Sequence, residues 1–363
     1  MILTVVQVLQ TAGFLILALL CIMFMIVVHE FGHYLAGRLL GFKIIEFSIG
    51  MGPAIYQKKN KKTEEIFSIR SIPIGGYCQF EDDEDNKGSK TAFNNQHPFK
   101  RIIVLLSGAL FNLLSALLLI IIFFNAYGQI LPSVNEVFED SVNVNTLKNG
   151  DVFLKINNKN VNILTQDDIN SYFKANADEM SVIVLRNGKK EKLTLKSGQY
   201  QLRNEDGDVE KDENGQPIMK KGYGFIIETK QQKLPFFVSI GKAFSFMFFV
   251  VYKIFVTIGG LFFGKIPFVG NVGGPIATIS TMTKAVQTNF SVLFYMVCLL
   301  SANLAVFNLL PIPALDGSKI LFTLIEWIFK KPVNRKVEAI LTIIGFVFLL
   351  GMAIVADVFY LRA

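Results

Sequence analysis

Four long runs without a charged residue constrain this chain of 363 residues more than any other feature. They cover residues 1–28, 102–135, 285–315 and 339–356. A helix of about 20 apolar residues crosses a bilayer, so each run can hold one crossing. Hydrophobic residues make up 52% of the sequence, and the excess over soluble domains is concentrated in these runs. The sequence therefore predicts a polytopic α-helical membrane protein.

Composition divides the chain into two membrane parts around one polar insert. The first part, residues 1–126, holds a helix broken by Gly41, a polar loop over 42–100 with hairpin-like alternation, and a second helix. Residues 128–230 carry β-type segments such as Val152–Ile156, with turns between them, which predicts a small and mostly β soluble domain. The second membrane part is residues 234–363, where the chain becomes apolar again.

Charge and cysteine content exclude two other classes of protein. The net charge is +7, but the basic residues cluster beside the apolar runs, which indicates orientation in a membrane rather than binding of nucleic acid. The three cysteines, Cys21, Cys78 and Cys298, are scattered. Their spacing predicts neither a disulfide framework nor a thiolate zinc site.

The end of the first apolar run carries the motif His29-Glu30-Phe31-Gly32-His33. Residues four apart share one face of a helix, so both imidazoles can reach one metal ion while Glu30 lies beside its bound water. The alternative is polar residues that happen to occur on a core helix. Unpartnered burial of His and Glu in an apolar helix is costly, and intramembrane ionisable groups are usually functional. The motif therefore predicts a catalytic zinc site.

A catalytic zinc ion usually takes three protein ligands, so a third must come from elsewhere in the chain. Asp316 is the only acidic residue between positions 285 and 325, and it follows Pro311 and Pro313, which stop a helix. Backbone N–H and C=O groups that lose their helical partners are tolerated inside a membrane only where they face protein or a water-filled cavity. A carboxylate at such a break in the helix is a suitable metal ligand. The alternative is an aspartate that caps the next helix in the headgroup region.

The pairing of His29–His33 with Asn308 and Leu315-Asp316-Gly317 resembles the site-two protease family of intramembrane metalloproteases, in its bacterial branch with an inserted PDZ domain. Other segments resemble the membrane-associated β-segments, the second-helix motif and the PDZ core of that family; they are Glu46–Pro53, Ser68–Tyr77, Ser107–Asn112 and Asn149–Asn158. Ala109 and Ser318 depart from the usual pattern at positions where proline and glycine are common.

The resemblance implies a fold of transmembrane helices, four by the orientation of the ligands, with membrane-associated β-hairpins and an inserted PDZ-like domain at 128–230. It implies Zn²⁺ held by His29, His33 and Asp316, with Glu30 as general base. It also implies that Asn308 helps to hold the substrate. From the residues alone, that amide could equally satisfy a carbonyl freed by Pro311.

The resemblance also implies the reaction and its partners. The expected activity is hydrolysis of peptide bonds within or near the transmembrane segment of single-pass membrane proteins, typically anti-sigma factors or remnant signal peptides after a first cut. The protein would lie in the lipid bilayer of the bacterial cytoplasmic membrane, with its active site toward the cytoplasm and the PDZ-like domain outside.

Membrane orientation follows from the basic link of Lys330, Lys331, Arg335 and Lys336, which we expect to be cytoplasmic. The helix that leads to Asp316 then runs inward, as the first helix must. If residues 234–263 crossed the membrane once, Asp316 would lie on the opposite side of the membrane from His29. We therefore expect that segment to lie in the outer interface or to re-enter, which leaves four crossings.

Two other functions fit parts of the sequence. A transporter could use intramembrane His and Glu as an ion pathway, but it would predict inverted repeats and further ionisable residues across the bilayer, and the sequence has neither. An inactive adaptor could use the PDZ-like domain alone, but the intact Glu30 argues against it.

Overall fold

The computed structural model describes residues 5–81, 89–173, 178–203 and 209–362. Its contacts divide the chain into two compact units, residues 1–120 with 250–363, and residues 121–249. The helices in the described part of the chain are α1 Val5–Leu39, α2 Pro98–Ala126, α3 Gln166–Phe173, α4 Phe236–Phe262, α5 Pro275–Thr288, α6 Phe290–Asn308, α7 Asp316–Phe329 and α8 Arg335–Arg362. The strands are β1 Ile44–Lys59, β2 Ile66–Phe80, β3 Gln129–Val137, β4 Val152–Ile156, β5 Lys159–Asn160, β6 Glu179–Arg186, β7 Lys189–Lys196, β8 Gly198–Gln201, β9 Met219–Gly222 and β10 Phe225–Gln232.

Five helices in the described part of the chain are long and apolar enough to cross a membrane, judged by length and composition. They are α1 from Leu9, α2, α4, α6 and α8. This confirms the predicted polytopic membrane protein. The expected number of four crossings stays a prediction, because helix length alone does not separate a crossing from a re-entrant segment.

The helix α5 is a membrane-part element that the sequence analysis did not predict. It has 14 residues and begins with Pro275 directly after Gly274, where proline is tolerated because the first turn lacks a backbone acceptor. The Asp357 carboxylate on α8 accepts hydrogen bonds from the backbone N–H groups of Ile276 and Ala277, at 3.0 and 2.9 Å. A buried carboxylate on a membrane helix therefore caps the start of α5.

The helical core of the first unit forms where α1, α5 and α6 pack together. Its fully buried side chains are Ala18, Met25, Met282, Ala285, Leu293 and Val297. The helix α2 joins α6 through polar contacts, since Ser301 Oγ donates to the Asn112 carbonyl at 3.0 Å and lies 3.1 Å from Ser115 Oγ. These contacts hold the middle of α2 against α6.

The polar loop after α1 forms the expected hairpin. Gly41 adopts a φ of +81°, which ends α1. The strand β1 then pairs antiparallel with β2, with several register shifts along the pair. Glu46 anchors the hairpin, because it accepts hydrogen bonds from Ser68 and Arg70 on β2. Burial opposes ionisation of Glu46, but these hydrogen bonds lower the pKa of its carboxyl. The hairpin therefore carries an ionised carboxylate inside its own fold.

The second unit is built on an antiparallel sheet with the strand order β10-β3-β4-β6-β7. Its core contains fully buried side chains such as Leu131, Phe153 and Val182, and Phe173 of α3 packs on Phe153 with ring centroids 5.0 Å apart. Its contacts extend over 121–249, a wider range than the predicted 128–230. The expected mostly β character is confirmed, whereas its assignment as a PDZ-like domain stays a prediction.

Candidate metal centre

Three side-chain atoms from two separate parts of the first unit, α1 and the start of α7, meet at one point. His29 Nε2 lies 3.0 Å from Asp316 Oδ2, and His33 Nε2 lies 3.2 Å from the same oxygen. The two Nε2 atoms are 3.2 Å apart. Both histidines are buried, each with 7% of its surface exposed. The structure thus brings together the two motif histidines and the aspartate that lies more than 280 positions away in the sequence.

The triangle of these atoms has the size and chemistry of a zinc site. A tetrahedral zinc ion has ligands at ~2 Å, which places any two of them ~3.3 Å apart. The observed separations of 3.0 to 3.2 Å are close to that value. Two imidazole nitrogens and one carboxylate oxygen form a common donor set of catalytic zinc, which keeps a fourth position open. Among the described residues, this is the one group of three such ligands within 4.8 Å of one another.

The second ring nitrogen of His33 has a backbone partner on α2. His33 Nδ1 lies 2.8 Å from the carbonyl oxygen of Val104, so this nitrogen carries the proton and donates it. The tautomer leaves a lone pair on Nε2, which faces Asp316 and His29. Metal-binding histidines are usually oriented by an outer hydrogen bond of this kind.

The second ring nitrogen of His29 faces two amide side chains. Asn112 Nδ2 and Asn308 Nδ2 each lie 3.4 Å from His29 Nδ1. Asn112 is fully buried and its Oδ1 has no hydrogen-bond partner among the described residues. Exchange of the oxygen and nitrogen of this amide, which are hard to distinguish by shape, would let Oδ1 accept the Nδ1 proton of His29. The orphaned oxygen therefore fits a histidine whose Nε2 is reserved for a metal.

Two glycines allow α1 and α2 to approach closely at this point. A Cβ atom at Gly108 would lie 2.4 Å from His33 Nε2 and 2.8 Å from His29 Cε1. A Cβ atom at Gly32, inside the motif, would lie 2.5 Å from the carbonyl oxygen of Ser107. Real Cβ atoms do not approach other atoms so closely, because the overlap is repulsive. Any side chain at position 108 would therefore enter the space of the imidazoles.

The prolines after α6 place Asp316 at the start of α7. Ala314 takes a φ of +83°, and α7 begins at Asp316 after Leu315 in an extended conformation. A Cβ atom at Gly317 would lie 2.2 Å from the carbonyl oxygen of Leu310, so the turn folds back tightly on the end of α6. Ser318, which departs from the family pattern, closes the turn by donating to the Leu315 carbonyl at 2.8 Å.

Glu30 borders a cavity beside the three ligand atoms. The cavity has a volume of about 390 Å³, and its lining includes Glu30, His33, Asp316 and Cys78. Glu30 Oε2 accepts a hydrogen bond from the backbone N–H of Cys78 on β2, at 3.0 Å. Burial and the charge of Glu30 raise the pKa of the Cys78 thiol, so the thiol stays protonated. The cavity thus offers a carboxylate next to the ligand triangle and room for a peptide segment.

All five residues predicted from the sequence lie together here: His29, Glu30, His33, Asn308 and Asp316. His97, the third histidine of the chain, lies outside this cluster, with its ring 5.9 Å from that of Trp327. The sequence analysis did not predict the contacts of Val104, Gly108, Asn112 and Cys78. The second-helix motif that contains Gly108 and Asn112 was the signal that could have revealed two of them.

Comparison with known proteins decides the family. The sequence model of peptidase family M50 matches residues 17–352. The chain belongs to peptidase family M50. A relative from Fusobacterium nucleatum, named as a zinc metalloprotease, is 32% identical over 352 residues, which cover 94% of this chain and 97% of the relative. A relative from Campylobacter jejuni with the same kind of name is 31% identical, over 93% of this chain and 90% of the relative. Another from Clostridium perfringens is 30% identical, over 95% of this chain and 97% of the relative.

Family membership confirms the predicted site-two protease resemblance and the enzyme class. This M50 protein is a zinc metalloprotease with the helices of a membrane protein. The geometry above fits such an enzyme, since its three ligand atoms match zinc in spacing and in chemistry.

Proposed function

We propose that this M50 protein is an intramembrane zinc metalloendopeptidase in which His29, His33 and Asp316 hold the metal and Glu30 is the general base. The observation that carries the proposal is the triangle of ligand atoms with sides of 3.0 to 3.2 Å, at the end of an apolar helix. Zinc, when bound, supplies a Lewis acid that polarises a carbonyl and activates water at neutral pH.

The protein residues perform the remaining work. Glu30 borders the cavity beside the ligand triangle, where it takes the proton of the attacking water and passes it to the leaving amine. The Cys78 N–H fixes one Glu30 oxygen, so the carboxylate does not have to reorient during the reaction. Asn308 adjoins His29 at 3.4 Å, within reach of a substrate backbone held at the site.

The proposed substrates are single-pass membrane proteins, such as anti-sigma factors or remnant signal peptides. A helical substrate hides its scissile carbonyl in intrahelical hydrogen bonds, so it must unwind locally before water can attack. Substrates should therefore have transmembrane helices that unwind easily. The cavity of about 390 Å³ beside Glu30 offers room for an extended peptide segment.

Substrate trapping tests this proposal. The Glu30→Gln variant keeps the proposed ligands but lacks the base, so it should bind substrates without releasing them. Single-pass proteins that co-purify with this variant from cells of a bacterial host, and not with the parent protein, should be cut by the parent protein in detergent. If no co-purifying single-pass protein is cut, the proposed substrate class is wrong.

We further propose four crossings, with the site toward the cytoplasm and the second unit outside. Support comes from α5, whose 14 residues extend ~21 Å and cannot span a core of ~30 Å. Gly274 at its start lines an apolar cavity together with Phe307 at the end of α6, and Asn289 joins the two helices. α5 therefore runs back alongside α6, as a re-entrant segment would.

Cysteine labelling tests this topology. Single cysteines at Phe237, which is 83% exposed, and at Gln287, which is exposed near the end of α5, should both react with an impermeant reagent added from outside the cell. Labelling of Gln287 only from the cytoplasm would contradict either the four crossings or the role of Asp316, because the three ligands would then approach from opposite sides.

For the PDZ-like domain we propose selection of substrates without a part in the chemistry. PDZ domains bind extended peptides along the edge of a sheet, and β10 is an edge strand of the five-strand path in the second unit. Deletion of 128–230 should keep zinc binding while it changes which substrates are cut. Loss of zinc on deletion would place this domain in the catalytic core instead.

A further inference from the structure

A buried lysine near the start of α4 has no acidic partner among the residues that the structure describes. Lys242 is 5% exposed, and its Nζ donates to the carbonyl oxygens of Leu154 and Val161, at 2.6 and 3.2 Å. An ammonium group has three donors, so two are used and one remains. Neutral carbonyls satisfy hydrogen bonds but do not balance the charge, and a buried charge is costly without a counter-charge.

Two further lysines border the cavity beside Lys242. This lysine cavity has a volume of about 520 Å³ and is lined by Leu154, Lys155, Asn160, Ile183, Lys190, Phe237, Val238, Gly241 and Lys242. No carboxylate is among these lining residues. Within the described ranges, none of the three lysines forms an ion pair. The cavity therefore combines three lysine side chains, one of them buried, with room for an anion.

The lysine cavity lies where α4 would leave the headgroup layer. Lys242 is six residues beyond Phe236, the first residue of α4, which corresponds to ~9 Å along the axis. The headgroup region of one leaflet is slightly shallower, at ~5–7 Å, so the backbone of Lys242 would lie at its inner boundary. Phe237 lines the cavity and is 83% exposed, and α4 is apolar enough to enter a membrane. The cavity thus joins a wall of lysines to an exposed apolar edge, and it would lie near the lipid phosphates if α4 enters the membrane at its first residues.

We propose that the lysine cavity binds the phosphate diester of an anionic phospholipid in the outer leaflet. The phosphate oxygens would supply the acceptor and the counter-charge that Lys242 lacks, while Lys155 and Lys190 contact the same headgroup from the sheet. The acyl chains would leave past Phe237 and Val238 into the bilayer. The bound lipid would tie the sheet of the second unit to the surface of the membrane. This site is separate from the metal centre and does not depend on its chemistry.

Native mass spectrometry of the full-length protein in detergent tests the site. Phosphatidylglycerol, phosphatidylcholine and inorganic phosphate are titrated separately against the parent protein. Phosphatidylglycerol should bind more tightly than phosphatidylcholine. The Lys155→Ala/Lys190→Ala double variant should weaken phosphatidylglycerol binding about 30-fold, because each lysine near an anionic lipid surface contributes about fivefold. Lys211→Ala/Lys220→Ala removes the same charge from exposed positions of the same unit and should leave binding unchanged.

Each contrary result overturns the proposal. Equal losses in the two double variants would show that net charge alone attracts the lipid. Equal binding of both phospholipids would remove the preference for an anionic headgroup. Displacement of phosphatidylglycerol by millimolar inorganic phosphate would make the ligand a free anion and not a lipid. The Lys242→Met variant, if folded, should also lose the lipid; if it does not fold, the double variants still decide.

Discussion

Glu30 Oε2 accepts a hydrogen bond from the backbone N–H of Cys78 at 3.0 Å, so the proposed base is fastened to the hairpin that follows its helix. The approach is close, since a Cβ atom at Gly76 would lie 3.6 Å from Glu30 Cγ. A backbone donor holds the carboxylate whatever side chain stands at position 78. The β1–β2 hairpin therefore positions the proposed general base directly.

Replacement of Cys78 by proline removes this donor, whereas alanine keeps it. Cys78→Pro should cut a model transmembrane substrate about tenfold more slowly, in line with loss of one hydrogen bond to a charged group. Zinc content should stay at the parent level in both variants, because the ligands are untouched. Cys78→Ala should cleave like the parent. Equal rates for the proline and alanine variants would show that the hydrogen bond to Glu30 does not matter for catalysis.

Gly108 leaves no room for a side chain beside the imidazoles. Gly108→Ala should therefore displace His33 and lose most of the zinc, measured by elemental analysis of the purified protein. Gly13→Ala is the matched control, since nothing lies within 4 Å of a Cβ atom at that position of α1. Full zinc content in a folded Gly108→Ala protein would mean that α1 and α2 can move apart without cost to the site.

Asn112 is expected to orient His29 by accepting its Nδ1 proton. Asn112→Ala should weaken zinc binding about 10- to 100-fold in competition with a chelator, which is typical for loss of an outer hydrogen bond to a metal ligand. Asn112→Asp should restore much of the affinity, because a carboxylate accepts the same proton. As a control, Asn125→Ala, whose amide donates to the Ile121 carbonyl at 2.7 Å on the same helix, should bind zinc like the parent. No difference between Asn112→Ala and this control would exclude the positioning role.

The base of the hairpin should be sensitive to acid through Glu81. Its carboxylate accepts hydrogen bonds from Lys43, Ser89 and Thr91, and the Lys43 ammonium group, followed by the two hydroxyls, lowers the pKa of Glu81 from 4.5 to about 2. A pKa that is lower in the folded state contributes stability above the unfolded pKa. That contribution is lost as the pH falls from about 4.5 toward 2.

Thermal unfolding in detergent between pH 6 and pH 3 measures this loss. The unfolding temperature of the parent protein should fall further over this pH range than that of Glu81→Gln, because the variant lacks the titrating carboxyl. Glu64→Gln, at an exposed carboxyl of the same hairpin, should behave like the parent. Identical acid sensitivity in the parent and Glu81→Gln would contradict this interpretation.

The sequence predicted the long membrane helices and the histidine pair of the proposed site because their signals are local. The uncharged runs mark the membrane helices, and the spacing of His29 and His33 places both on one helical face. The surroundings of the ligands were not predictable in this way. The Val104 carbonyl and the Cys78 N–H are backbone groups, and no side-chain pattern reveals which residue they will meet.

The helix α5 was missed for a different reason. Its residues are less apolar than those of α6, and the apolar run at 285–315 extends over the end of α5 and the whole of α6. Periodicity alone does not show that the chain reverses at Asn289. The Asp357 carboxylate that caps α5 lies 80 positions away, so only the folded structure shows why the helix begins where it does.

The most direct measurement compares zinc content and proteolysis in the same preparations of the parent, Glu30→Gln and Asp316→Ala. The parent should hold one zinc ion and cleave a model transmembrane substrate. Glu30→Gln should hold the same zinc and have no detectable cleavage, because an amide cannot accept the proton of water. Asp316→Ala should lose both, because two imidazoles alone hold zinc weakly. Full cleavage by Glu30→Gln, or full zinc content in Asp316→Ala, would contradict the proposed site.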